Sequence, residues 1–169
     1  MNPVEFATAW IEWEKSCGFM DGLVRSRGFR PLSVDRFTWQ FLSTGGLPKS
    51  AKPFLSFGLC ERLRPVPAEF GEAGNCSGLR ALGHDGAGNP IALEAKSGRV
   101  LWLDHERRYI PKFVNSSVAK LAATLLAVQT SKTEADSLRG IADVDADAMK
   151  DDSFWPGEIH AFYSPKVRR

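Results

Sequence analysis

Near the start of the chain, apolar residues recur at helical spacing at Phe6, Trp10, Trp13 and Cys17, with Val4, Ala7 and Ile11 widening the stripe. That period predicts an amphipathic helix. Asn2, Pro3 and Glu5 supply its start: a capping side chain, a proline in the first turn and a carboxylate that reaches back. Gly18 supplies its stop. Residues 22–31 read as a loop. Ser33 is placed to cap a second helix presenting Val34, Phe37, Phe41 and Leu42; Gly45 and Gly46 end it, and Pro48 keeps it from resuming. The pattern then changes to short apolar runs punctuated by glycine and proline. Residues 54–59 predict a strand, and 64–74 a long loop with an edge segment. Residues 79–84, 90–95 and 99–104 predict strands joined by the turns at 85–89 and 96–98. Connections this short make neighbouring strands antiparallel, and 109–114 adds one more.

At 113–122 the string FVNSSVAKLA runs an apolar strand through two serines directly into a helix. Val118, Leu121, Ala122, Leu125 and Leu126 share one helical face, and Ser116 or Ser117 can accept a bond from a first-turn N–H. The helix extends to about Thr130. Beyond it, Ser131 and Glu134 have capping-box spacing before a further helix carrying Leu138 and Ile141. Asp143, Asp145, Asp147, Asp151 and Asp152 read as an exposed acidic patch. Trp155-Pro156 with Ile159, Phe162 and Tyr163 predicts a last helix that docks back. The sum is an α+β fold, an antiparallel sheet of about four to six strands packed by helices, in one domain over 1–169 with a helical extension over 131–169.

A chain of 169 residues can build a core without staples. Its net charge of +2, from 22 basic and 20 acidic residues, argues against a dominant phosphate-backbone partner. Arg25, Arg27 and Arg30, the pair Arg107-Arg108, and Lys166 with Arg168 and Arg169 form local basic clusters. They lack the regular aromatic alternation of a single-strand binder and read as solvated surface. Cys17, Cys60 and Cys76 are odd in number and widely spaced, which speaks against disulfides or zinc and for a reducing compartment. Glu5 and Glu12 stand where a secretory signal would be basic and apolar, and no run is long enough to span a bilayer; the expected location is cytoplasmic.

The search for chemistry is mostly negative. His84 and Asp85 are adjacent in a strand and point to opposite faces, while His105-Glu106 and His160 stand apart. No metal-binding helix motif or nucleophile elbow occurs, and Ser116-Ser117 has no candidate base nearby in sequence. Gly83, Gly86 and Gly88 fit turns better than a phosphate loop, because no lysine follows and the next element is a strand. The aspartates of 143–152 lack the glycine and terminal glutamate of a calcium loop. No catalytic group, cofactor or metal is expected. A small hydrolase using His84 or His105 is the weakest of the functional readings.

Four strings, LPKSAKPFLSF (47–57), GHDGAGNPI (83–91), SGRVLWLD (97–104) and FVNSSVAKLA (113–122), resemble in their order the fourth immunity-protein branch of the SUKH superfamily, over roughly 33–130. The resemblance implies a SUKH-like α+β domain and a bacterial cytoplasmic antidote. Such a protein binds a cognate polymorphic toxin, often a nuclease or nucleic-acid deaminase, with no membrane and no direct nucleic-acid partner. A SUKH-like regulatory scaffold binding a cellular protein is the alternative. The family strings mark fold positions and not contacts, so the contact surface is sought at the sheet rim, at Glu69, Phe70, Glu72, Asp104, Glu106 and Tyr109.

Overall fold

The computed structural model of the chain describes residues 1–71 and 76–164. Helix α1, Pro3–Cys17, is fixed at both ends by its own sequence. The Asn2 side chain accepts the N–H groups of Val4 and Glu5 at 3.0 and 2.9 Å, the Glu5 carboxylate accepts the Asn2 N–H at 2.9 Å, and Gly18 closes the helix at φ 69°. Phe6, Ala7 and Trp10 are buried as the period predicts, but the stripe is narrower: Val4, Ile11 and Cys17 are exposed. Glu14 is buried instead, because its carboxylate accepts the Gly22 N–H at 2.9 Å and holds the turn that follows.

Helix α2, Arg36–Thr44, starts later than a Ser33 cap would place it. Asp35 is the cap, accepting the N–H groups of Phe37 and Thr38 at 2.8 and 2.9 Å. Thr38, Phe41 and Leu42 then face inward and Phe37 faces solvent, while Val34 is buried ahead of the helix. Inside the 22–31 segment, β1 (Leu23–Val24) pairs with β2 (Leu47–Pro48). A strand of two residues leaves no periodicity for a sequence reading to detect. The strand expected over 54–59 contracts to β4 (Leu55–Ser56), which pairs with β3 (Ser50–Ala51) and is followed by a 3-10 turn at Gly58–Glu61. Within 64–71, Pro65 forms a lone bridge to Arg80 and α3 spans Val66–Phe70.

The larger sheet runs in the order β3-β4-β5-β6-β7-β8, every neighbour antiparallel. Its long strands, β5 (Leu79–His84), β6 (Pro90–Glu94), β7 (Val100–Asp104) and β8 (Ile110–Asn115), lie close to their expected limits. Alternation divides the sheet into two faces. Leu82, Ile91, Leu93, Val100, Trp102 and Val114 enter a large core with Phe6, Trp10, Phe41, Leu121, Leu125 and Trp155. Ala81, Ala92 and Leu103 enter a smaller core with Val66 and Cys76, bordered by Phe70 and Tyr109. At Gly83 a β-carbon would stand 1.8 Å from the Ser56 carbonyl oxygen, so β4 can approach β5 only because that position is glycine.

Helix α4, Val118–Thr130, begins where the FVNSSVAKLA pattern predicts, with the Ser117 hydroxyl accepting the Lys120 N–H at 3.2 Å. Helix α5, Glu134–Val144, is capped by Thr133 and not by Ser131, and α6 spans Phe154–Tyr163. Between α5 and α6 the acidic patch divides. Asp143, Asp147, Asp151 and Asp152 are exposed, whereas Asp145 is only 2% exposed. Its carboxylate accepts the Ser116 N–H at 2.7 Å, the Ser116 hydroxyl at 2.9 Å and the Asn115 side-chain amide at 3.3 Å, and pairs with Lys120 at 3.1 Å. Asn115 also donates to Thr124 and accepts the Trp155 indole N–H, both at 3.1 Å. Burial by itself would raise the pKa of Asp145; the bonds from Ser116, Lys120 and Asn115 outweigh it and hold the carboxyl below its ordinary range.

Replacing Asp145→Ala should cost about 3–5 kcal/mol in a urea unfolding titration, since the donors of a buried charge lose their acceptor together. A depressed native pKa contributes stability above the unfolded value and loses it as pH falls through the native one. The stability gap between wild type and Asp145→Asn should therefore narrow as pH is lowered from about 5 to 2, and a gap independent of pH would refute this account. Gly83→Ala should destabilise by about 3 kcal/mol in the same titration, as backbone must move to admit the methyl group.

Candidate protein interface

The rim of the sheet is built around Asp104, the last residue of β7. Its carboxylate accepts the N–H groups of Glu106 and Arg107 at 3.1 and 3.2 Å, starting a 3-10 turn over His105–Arg107, and it also pairs with the Arg107 side chain at 3.6 Å. Arg108 and Tyr109 then take left-handed φ values of 56° and 61°, and the Tyr109 N–H returns to the Asp104 carbonyl at 2.7 Å. This reversal lays Tyr109 on the smaller core, where its hydroxyl donates to the Phe70 carbonyl at 3.3 Å.

The fold thus brings Phe70 and Tyr109 together from distant parts of the sequence, with Asp104 and Glu106 on the turn that positions the tyrosine. Glu69 is held apart: it pairs with Arg64 at 3.6 Å and lines a small cavity of about 190 Å³ with residues of the 58–64 segment. Glu72 lies outside the described residues.

Two residues that the sequence marks only as ends of the 85–89 turn tie this rim together. The Asn89 side chain accepts the His105 N–H at 3.1 Å and donates to Asp85 at 2.9 Å, joining the β5–β6 turn to the β7–β8 connection. Asp85 also accepts the Trp102 indole N–H at 2.7 Å and the N–H groups of Ala87 and Asn89, each at 2.9 Å. Burial pushes the Asp85 carboxyl up, and the bonds from Asn89, Trp102 and Ala87 bring it below the usual range. The Asp-Gly-x-Gly-Asn spacing signalled the turn; the tie to Trp102 needed the folded sheet.

The histidines serve separate local partners. His84 Nδ1 meets the backbone carbonyl of Asp85 at 2.9 Å and not its carboxylate, and His160 pairs with Glu134 at 3.0 Å. The Ser116 hydroxyl is committed to Asp145. A groove of about 740 Å³ between β8 and the 147–153 segment mixes Arg99, Lys112 and Lys150 with Asp147, Asp151 and Asp152. Among the described residues, no group of three or more His, Cys, Asp or Glu gathers as a metal site, and no helix is long and apolar enough to cross a membrane.

An antiparallel sheet backed by helices on one face, with a short helix and a stiff rim on the other, defines an α+β protein of the SUKH superfamily type. Residues 24–161 match the family model described as SUKH-4 immunity protein, and the chain belongs to that family. The matched region takes in α5 and most of α6. No curated protein and no solved structure matches the chain.

Asp85→Ala should cost about 2 kcal/mol in chemical unfolding, because several donors lose one acceptor. The Trp102 indole proton should also exchange faster by hydrogen-exchange NMR; unchanged exchange would show that Asp85 does not hold the rim.

Proposed function

We propose that this protein neutralises a cognate polymorphic toxin, a nuclease or nucleic-acid deaminase, by non-covalent occlusion in the bacterial cytoplasm. The observation that carries the reading is its membership of an immunity-protein family over most of its length. The contact surface of this proposal is the rim at Glu69, Phe70, Glu72, Asp104, Glu106 and Tyr109. Carboxylates at a rim suit the basic surface that a nucleic-acid enzyme offers its substrate, and paired aromatic groups at the border of a core suit an anchor. A surface whose turns are tied together in advance loses little entropy on binding. The task needs no bond-making group and no cofactor.

Coexpression with the toxin domain encoded beside this gene tests the reading. The wild-type protein should protect the cell and copurify with the toxin. Glu106→Lys should weaken the complex about tenfold, with thermal unfolding little changed because that side chain is exposed and the turn is capped by Asp104. Failure of the wild type both to protect and to bind would refute neutralisation. Undiminished binding by this variant would move the contact away from this rim.

A further inference from the structure

The segment between β1 and α2 is firmly anchored and yet presents its apolar side chains to water. Ser26 donates its N–H to the Leu42 carbonyl at 3.0 Å and its hydroxyl to the Cys60 carbonyl at 2.5 Å, and the Arg27 N–H reaches the Glu61 carbonyl at 2.9 Å. At the other end Val34 is buried, its N–H bonded to the Pro31 carbonyl and its own carbonyl held by the Arg30 guanidinium. Between and just beyond these anchors, Phe29 is 100% exposed, Leu32 96% and Phe37 82%. Buried anchors on both sides leave these three outward with nothing of the large core to cover them. Exposed apolar groups are ordinary when scattered; three large ones within nine residues of a pinned segment form a patch that folding does not explain.

Basic residues dominate the charge around the patch. Residues 25–37 contain four arginines and a single acid, Asp35, whose carboxylate is engaged in capping α2. Arg80, at the start of β5, extends the basic border by donating to the Ser33 hydroxyl at 3.1 Å. Arginine and aromatic side chains together are the composition of protein-interface hot spots. Arg25 and Arg30 hold backbone carbonyls and Arg27 pairs with Glu61, so the cations do not form a free row able to track a phosphate backbone.

We propose that the Phe29–Leu32–Phe37 patch is a second contact surface for the toxin, received by an acidic face of that protein bearing an apolar recess. This rests on the neutralisation reading and deepens it. The strand registers put Arg80 and Asp104 toward opposite ends of the sheet, so the partner meets the 104–109 rim at one end and an arginine-bordered apolar patch near the other. Two separated contacts fix one docking orientation, and the basic border of the patch rejects partners without an acidic face.

The test measures binding of the toxin domain encoded beside this gene to purified wild type, to Phe29→Ser/Leu32→Ser, and to Arg27→Glu/Arg36→Glu. The altered apolar side chains are solvated, so the first variant should keep the wild-type melting temperature while losing about 30-fold or more in affinity. The charge variant should lose about tenfold, chiefly in association rate, with a weaker dependence on sodium chloride than the wild type shows. A wild-type complex that both loop variants retain within about threefold overturns this proposal and leaves neutralisation standing. Absence of a wild-type complex overturns both. Retention of single-stranded RNA by the wild type and its loss in Phe29→Ser/Leu32→Ser would reassign the patch to nucleic acid, and a wild-type dimer made monomeric by the same variant would reassign it to a second copy of this chain.

Discussion

A carboxylate taken out of water persists only where donors stand at fixed positions around it, and Asp145 finds them all at the junction between β8 and α4. The serine that follows the strand offers its backbone and its hydroxyl, the preceding asparagine offers its amide, and a lysine one turn into the helix offers its charge. Asn115 then reaches Trp155 on α6. One buried charge thereby sets the angle at which the strand enters the helix and draws the segment between α5 and α6 against both. The large core depends on that arrangement, because Trp155, Ile159 and Ile141 arrive in it from α5 and α6.

With one sheet face so occupied, the other is left lightly built. Ala81 and Ala92 are small, and the helix over them, α3, is barely more than one turn. Small side chains under a short helix keep the cover close to the strands, and they bring Phe70 to the Tyr109 hydroxyl at the border. The rim owes its stiffness to polar ties that run across the sheet, Asp85 to Trp102 and Asn89 to His105, so its turns do not depend on their own short sequences for conformation. A protein that acts by shape benefits from such ties, since a loop ordered before binding need not be ordered at it.

The distribution of charge is more informative than its sum. A net charge of +2 does not describe the arginine-rich segment before α2, which is anchored to the core by the bonds of Ser26. Charge held on a pinned segment resists cancellation by side-chain rearrangement.

Helices α1 and α4, the four long strands and their antiparallel order were legible in the sequence, because period and turn chemistry are local: Asn2 with Glu5, Gly18, the 85–89 turn and Ser117 act on neighbours a few residues away. The four strings that resemble the family, 47–57, 83–91, 97–104 and 113–122, lie within the region that the family model matches. Which of several similar residues does a given task was decided by tertiary contacts. Asp35 displaced Ser33 as a cap and turned Phe37 outward; Asp145 left the acidic patch for the interior; Phe70 met Tyr109 across the sheet. Burial depends on what arrives from elsewhere in the chain, and five aspartates alike in sequence differ only in which of them the donors of Asn115, Ser116 and Lys120 can reach.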